Sequence, residues 1–146
     1  MAHIAEVLAG KNNKVFTMDR HATVFEALEM MVANNLGSVL VTEDGALCGI
    51  FTERDYLRRI ALEGRTSRET HLENVMVSRL ICVDPSSSVE DCLAIMTQKR
   101  IRHLPVMEEG KLAGIVSIGD LVKFISAAQE IEIRYLNDYI AGKYPA

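Results

Sequence analysis

Apolar and polar positions along the chain follow one pattern twice. Sliding the sequence by 65 positions lays Val15–Ile60 over Leu80–Ile125 without a gap, and 12 of the 46 aligned pairs are identical. Val24/Val89, Leu28/Leu93, Met31/Met96, Gly49/Gly114 and Asp55/Asp120 are among them, while Leu36/Ile101, Val39/Leu104 and Thr52/Ser117 keep their polarity class. A shared set of buried positions produces such regularity. In each copy a short apolar stretch, Val15–Met18 or Leu80–Val83, predicts a strand, and a polar turn then leads to the helix-capping residues Thr23 or Ser88. Thr23-Val24-Phe25-Glu26 has the form of a capping box. Val24, Ala27, Leu28 and Met31, like Val89, Cys92, Leu93 and Met96, have the spacing of one buried helical face. Two strands follow, Ser38–Thr42 with Leu47–Phe51 and His103–Met107 with Leu112–Val116. The turns between them, Glu43-Asp44-Gly45 and Glu108-Glu109-Gly110, predict hairpins that need positive φ. A second helix is expected to start near Asp55 and Asp120.

Each copy thus reads as β-α-β-β-α, an α/β unit too small to bury both faces of its sheet. Pairing the copies about a pseudo-twofold axis solves this. The expected organisation is repeat 1 over residues 1–64 with a short flanking helix at Ile4–Leu8, a polar linker over 65–74, repeat 2 over 75–126 and a helical extension over 127–146. Leu121, Ile125, Ala128, Ile131, Tyr135 and Tyr139 carry the helical pattern almost to Gly142, its expected stop. Leu136, Tyr139 and Ile140 fit either a surface packed on the other flank or on a second chain, or a plain solvent-covered extension.

A length of 146 residues suits one compact domain or two small repeats sharing a core. With 49% hydrophobic residues and a mean hydropathy of +0.10, the chain can bury enough apolar surface to fold. Sixteen basic against twenty acidic residues leave a net charge of -4, so the overall field favours neither nucleic acid nor an anionic membrane as partner. The longest apolar run, Cys92–Met96, falls far short of the roughly 20 residues a bilayer span requires. Met-Ala-His-Ile-Ala-Glu has neither the basic start nor the apolar stretch of a secretory signal, so a cytoplasmic protein is expected. Cys48, Cys82 and Cys92 are odd in number and contain no Cys-x-x-Cys. They are expected to be small core residues, with no disulfide framework or zinc site.

The strongest chemical signal is doubled: Gly49-Ile50-Phe51-Thr52-Glu53-Arg54-Asp55 and Gly114-Ile115-Val116-Ser117-Ile118-Gly119-Asp120. In each, a hydroxyl and a carboxylate emerge where a strand ends and a helix begins, close to unpaired backbone N–H groups that favour anions. A carboxylate there can accept from both hydroxyls of a ribose, with the Thr or Ser hydroxyl facing its phosphate. The spacing fits equally well with Thr52 and Ser117 as ordinary caps and the aspartates as complements to the helix dipole.

The repeat order, the two Thr/Ser-x-x-Asp motifs in register and Arg102-His103-Leu104-Pro105-Val106 resemble a tandem pair of CBS domains, a Bateman module, over residues 4 to 126. Gly49 to Tyr56 is similar to the small stand-alone bacterial members of that family. The resemblance implies two clefts between the repeats that bind adenosine nucleotides and report energy state to a regulated partner. It implies that Asp55 and Asp120 hold ribose hydroxyls, that Thr52 and Ser117 lie beside the ribose-phosphate, that Thr17, Val39, Ile50, Cys82, Leu104 and Ile115 are candidates to line the adenine pockets, and that Pro105 is a further ligand-binding residue. It also implies a homodimer.

Lys99, Arg100, Arg102 and His103 concentrate positive charge in the second copy, whose counterparts of Arg102 and His103 are Gly37 and Ser38, so the two clefts should be unequal. Lys99 and Arg100 offset a helix dipole, while Arg102 and His103 are expected to contact the phosphate of a nucleotide anchored by Asp55. By symmetry Arg54 would approach the phosphate of one held by Asp120. His3, His21 and His71 have no role assigned.

The leading reading is a non-enzymatic sensor of AMP, ADP, ATP or NAD, with no catalytic cofactor and no metal. No base stands beside a Ser or Cys nucleophile, and no glycine-rich phosphate loop occurs. The alternatives are a structural adaptor that binds protein through its C-terminal helix, and a nucleotide hydrolase using Asp55 or Asp120 as base.

Overall fold

The computed structural model describes residues 2–11 and 14–140, with side chains described through residue 137. Gly142 lies outside that range, as do the side chains of Tyr139 and Ile140. The chain forms α1 (Ile4–Ala9), β1 (Thr17–Asp19), α2 (Val24–Ala33), β2 (Ser38–Glu43), β3 (Ala46–Thr52), α3 (Glu53–Asp55), α4 (Val89–Lys99), β4 (His103–Glu108), β5 (Lys111–Ser117) and α5 (Ile118–Ile140). A π-helical segment (Tyr56–Ala61) continues α3, and a 3-10 turn covers Leu72–Asn74.

The two hairpins are near copies. In β2/β3 Ser38 pairs with Thr52, in β4/β5 His103 pairs with Ser117, and the register shifts at the same place in both, Val41/Thr42 and Val106/Met107. Each turn places two consecutive residues at positive φ: Asp44 and Gly45 at 50° and 82°, Glu109 and Gly110 at 51° and 78°. Glycine makes the second of these positions inexpensive. The caps form as the sequence indicates. Thr23 accepts from the Glu26 amide at 3.2 Å and Ser88 from the Asp91 amide at 3.0 Å. Behind those caps, Val24, Ala27 and Met31 of α2, and Val89, Cys92 and Met96 of α4, are buried in two separate cores.

Each core is completed by the other copy's leading segment. Ile4 and Val7 of α1 are buried with repeat 2, whereas Leu72 and Val75, which lead into repeat 2, are buried with repeat 1. The hydrogen bonds repeat accordingly. Ile4 N–H donates to Ser87 O, Ala5 N–H to Pro85 O and Val89 N–H to Ala2 O; on the other side Leu72 N–H donates to Ala22 O, Glu73 N–H to Arg20 O and Val24 N–H to Thr70 O. This reciprocal exchange of flanks gives the pair its pseudo-twofold relation.

Four details depart from the expectations. Leu80–Val83 makes only an isolated parallel bridge, Val83 to Val106, where the first copy has strand β1 paired with β2. The reason is two missing donors. Beyond the bonds Val83 N–H to Pro105 O and Met107 N–H to Val83 O, the ladder would need amide hydrogens on Pro105 and Pro85. In the first copy Arg20, the counterpart of Pro85, donates to Thr42 O at 2.9 Å. Second, Cys82 is exposed, since the chain alternates around the single bridge and Val83 points inward; only Cys92 of the three cysteines is fully buried. Third, the second helix of repeat 1 starts beside Asp55 as expected, at Glu53, but widens into the π turn after it. Fourth, the stretch 65–74 contributes the buried residues Thr70 and Leu72 to the fold.

Helix α5 buries Leu121 and then leaves the core, with every residue from 126 to 137 exposed. Among the described residues no helix is long and apolar enough to cross a membrane.

Candidate functional site

The doubled motif builds the same local structure twice. Asp55 Oδ2 accepts from the Thr52 amide and hydroxyl, each at 3.0 Å, and the Asp55 amide donates to Thr52 Oγ1 at 3.2 Å. Asp120 Oδ2 accepts from the Ser117 amide at 2.8 Å, and the Asp120 amide donates to Ser117 Oγ at 3.1 Å. Both aspartates therefore cap the helix that their own hydroxyl residue begins. The surroundings differ. Asp55 is 8% exposed and buried beside its cap, whereas the Asp120 side chain keeps 25% exposure and faces a cleft.

That cleft encloses about 640 Å³ and is walled by both repeats and by the segment leading into repeat 1. Helix α5 contributes one face at helical spacing, Asp120, Lys123, Phe124 and Ala127. Hairpin β4/β5 contributes His103, Ile115 and Ser117, and repeat 1 contributes Leu36, Gly37, Ser38 and Leu40. Lys11, Lys14 and Phe16 close it from the amino-terminal side, with Lys14 Nζ 5.9 Å from the centre of the Phe16 ring. Lys11 Nζ reaches 2.7 Å from Asp120 Oδ2 and donates to the Ile115 carbonyl at 2.8 Å. The volume lies in the range of small-molecule sites, and the lining joins apolar walls to a few polar groups.

Of the expected site residues, the cleft brings together His103, Ile115, Ser117 and Asp120. Val39 and Leu104 lie instead in the two cores at 1% and 0% exposure. Side chains alternate along a strand, so Leu40 presents itself to the cleft where Val39 was expected. Pro105, the counterpart of Leu40, is buried, as is Ile50, whose amide and carbonyl both bond Val77. Thr17 is exposed on β1, and Cys82, Arg54 and Arg102 are exposed without lining the cleft. Arg102 serves through its backbone: its carbonyl accepts from Ile118 at 2.9 Å, as that of Gly37 accepts from Glu53 at 3.1 Å. His103 was expected to serve a nucleotide at Asp55; it lines the cleft that holds Asp120.

Lys11, Lys14, Phe16, Leu40, Lys123 and Phe124 were not foreseen. A repeat at a different offset points to the segment that ends in Lys11; Lys14 and Phe16 carry no such signal. His3-Ile4-Ala5-Glu6-Val7-Leu8 lies over His71-Leu72-Glu73-Asn74-Val75-Met76 at a shift of 68, three residues more than the main repeat. That shift marks the leading segments as a swapped pair, and carries Lys11 to the far copy.

Charge in the cleft is tuned by burial and by proximity. Burial pushes the Asp120 carboxyl up, but hydrogen bonds from Lys11 and the Ser117 amide, with the Lys11 charge, outweigh it and hold the group below the usual carboxylate value. Burial likewise pushes His103 below the ordinary imidazole value; Asp120 and Glu53 oppose that shift, and Lys11 and Arg102 add to it.

A family model described as CBS domain matches residues 4–62 and 72–127. The CBS domain-containing protein CBSX3, mitochondrial, of Arabidopsis thaliana is 41% identical over 127 residues, covering 84% of this chain and 62% of the relative. The CBS domain-containing protein YhcV of Bacillus subtilis is 37% identical over 108 residues, covering 74% and 76%. The chain thus spans less than two thirds of the Arabidopsis protein. The crystal structure of the CBS-domain containing protein ATU1752 from Agrobacterium tumefaciens superposes with a TM-score of 0.80 at 36% identity, covering 84% of this chain and 98% of that one.

Proposed function

The chain belongs to the CBS-domain family as a tandem pair, and we propose that it is a non-enzymatic regulatory module whose cleft at Asp120 binds an adenosine nucleotide and whose occupancy a partner protein reads. One observation carries the reading: a carboxylate suited to ribose hydroxyls opens into a cleft that spans both repeats and whose other charged lining groups are basic. Ile115, Phe16 and Phe124 offer apolar surface for a base, while Lys11, Lys14, Lys123 and His103 offer positive charge or donors to a phosphate. A ligand touching both repeats would fix their relative position, which is the quantity a partner can sense. A CBS pair of the same fold, from protein MJ0100, was crystallised with 5′-methylthioadenosine and S-adenosyl-L-methionine; at 18% identity it lends its fold alone.

The exposed apolar residues of α5, Ile131, Ile133 and Leu136, support self-association through that helix as part of the same reading. The experiment is a thermal-shift panel of AMP, ADP, ATP and NAD on the parent and on Asp120→Ala. A ligand present at 100 times its Kd should stabilise the parent by about 2.7 kcal/mol and shift the variant's melting point by clearly less. If none of the four shifts the parent, the nucleotide reading is wrong. ATP recovered intact from an anion-exchange column after incubation supports a sensor over a hydrolase.

A further inference from the structure

Lys11 does in one half of the molecule what a backbone amide does in the other. The Ile50 carbonyl accepts from the Val77 amide at 2.9 Å; its counterpart, the Ile115 carbonyl, accepts from Lys11 Nζ at 2.8 Å. The same ammonium lies 2.7 Å from Asp120 Oδ2. One side chain, 109 residues away in sequence, thereby covers two acceptors of the cleft. A ribonucleoside presents hydroxyls and an amine, which need acceptors of this kind, so ligand and Lys11 compete for the same groups.

We propose that Lys11 is the specificity-determining residue of the cleft: a ribose that takes Asp120 displaces the ammonium onto the ligand's own phosphate, so the site selects nucleotides over neutral nucleosides. The inference rests on the reading of the cleft as a nucleotide site. The physical reason is charge balance in a partly buried place, since the Lys11 and Asp120 side chains retain only 30% and 25% exposure. Displaced by a neutral nucleoside, Lys11 loses its carboxylate and remains among Lys14, Lys123 and His103 with no new anion. Displaced by a nucleotide, it exchanges one anion for another, and the phosphate pairs with the neighbouring cations as well.

The test is calorimetry with adenosine and AMP on the parent, Lys11→Met and Lys11→Arg. The parent should prefer AMP by about tenfold or more; Lys11→Met should bind adenosine several-fold more tightly and AMP several-fold more weakly, on the scale of one charge-assisted contact, and Lys11→Arg should keep the preference. If both ligands bind and Lys11→Met keeps the parent's preference, the role of Lys11 is overturned while the nucleotide site stands. If neither adenosine nor AMP binds the parent, the reading of the cleft falls and this inference with it. A separate readout needs no ligand: carboxyl NMR titration of Asp120 should give a higher midpoint in Lys11→Met than in the parent, and an unchanged midpoint overturns the pairing itself.

Discussion

Gly37 of the first repeat and His103 of the second meet across the cleft, so closely that a Cβ on Gly37 would stand 3.4 Å from His103 Nε2 and 3.5 Å from Cε1. The space occupied by the imidazole is the space a side chain longer than a methyl at 37 would need. The two halves of the doubled pattern therefore differ in contact: a methyl at position 37 would just touch the histidine of the other copy, and anything larger would press on it.

Gly37→Ala should accordingly fold and bind almost as the parent does, because ordinary packing distance is preserved. Gly37→Leu should push the ring aside and narrow the wall formed by Gly37 and Ser38. Its AMP affinity should fall about tenfold while the melting point changes by only a few degrees, as expected for a substitution at a cleft rim. Calorimetry beside a thermal melt checks both, and parent-like binding by the leucine variant would remove this wall from the ligand site.

A second pair of glycines marks close packing of the exchanged flanks. A Cβ on Gly114 would come within 2.9 Å of Leu8 Cδ2, and one on Gly49 would run into the Met76 side chain. Gly114→Ala should destabilise by about 1 to 3 kcal/mol through overpacking. Combined with Leu8→Ala the two effects should be strongly non-additive, since the second change removes what the first one strikes. Strictly additive melting data would show that Leu8 does not rest on the hairpin.

What the sequence discloses and what it hides divide along the range of the interactions. Caps at Thr23 and Ser88, hairpin turns at Gly45 and Gly110, and the paired Asp55 and Asp120 are local patterns, so reading them needs only a few neighbours. The strand phase at Val39-Leu40-Val41 was not readable, because three consecutive apolar residues show no alternation to fix which one faces the cleft. The short segment at Val83 was lost to Pro85 and Pro105, a penalty visible in the sequence but only once the pairing partner is known. Lys11 was hidden for another reason: its partner is set by the swap of flanks, which the main repeat offset skips.

That swap has its own consequence for stability. Ile4 is fully buried among residues of repeat 2, so Ile4→Ala should cost about 2 to 5 kcal/mol and should loosen α4 and the β4/β5 hairpin before the first repeat. Hydrogen exchange resolved by residue is the measurement. Faster exchange confined to repeat 1 would contradict the exchanged-flank arrangement.

Helix α5 carries Ile131, Ile133 and Leu136 at 63%, 57% and 57% exposure, and these are the contacts that self-association through the helix would use. Ile131→Glu combined with Leu136→Glu should leave the melting point of the repeats nearly unchanged, because neither residue touches the cores. Sedimentation should show the parent heavier than 16.2 kDa at micromolar concentration and the double variant as a monomer. A parent that sediments as a monomer with and without nucleotide rejects the assembly.

His103 should make the cleft responsive to pH, with a sign that follows from its surroundings. Burial first, then the charges of Lys11 and Arg102, hold its pKa below the ordinary value, while Asp120 from α5 and Glu53 from α3 pull the other way without prevailing. Lys14 and Lys123 face the same cleft and add positive charge. A base with a lowered folded pKa binds fewer protons folded than unfolded, so its contribution weakens the fold as pH drops below about 6.5 and is absent above that value. His103→Gln should therefore flatten the acid side of the stability profile. A bound phosphate reverses the preference, because it favours the imidazolium. Proton uptake by free AMP near pH 6 affects parent and variant alike and cancels in their ratio, whereas the charge left on the bound phosphate sets how large the rise is. The ratio of AMP affinity, parent over His103→Gln, should consequently rise about three- to tenfold between pH 7.5 and 5.5 if the ring reaches the phosphate. Adenosine, which brings no phosphate, should show no such rise. A ratio that stays constant for AMP would place the phosphate away from His103 and leave the histidine as a packing partner of Gly37.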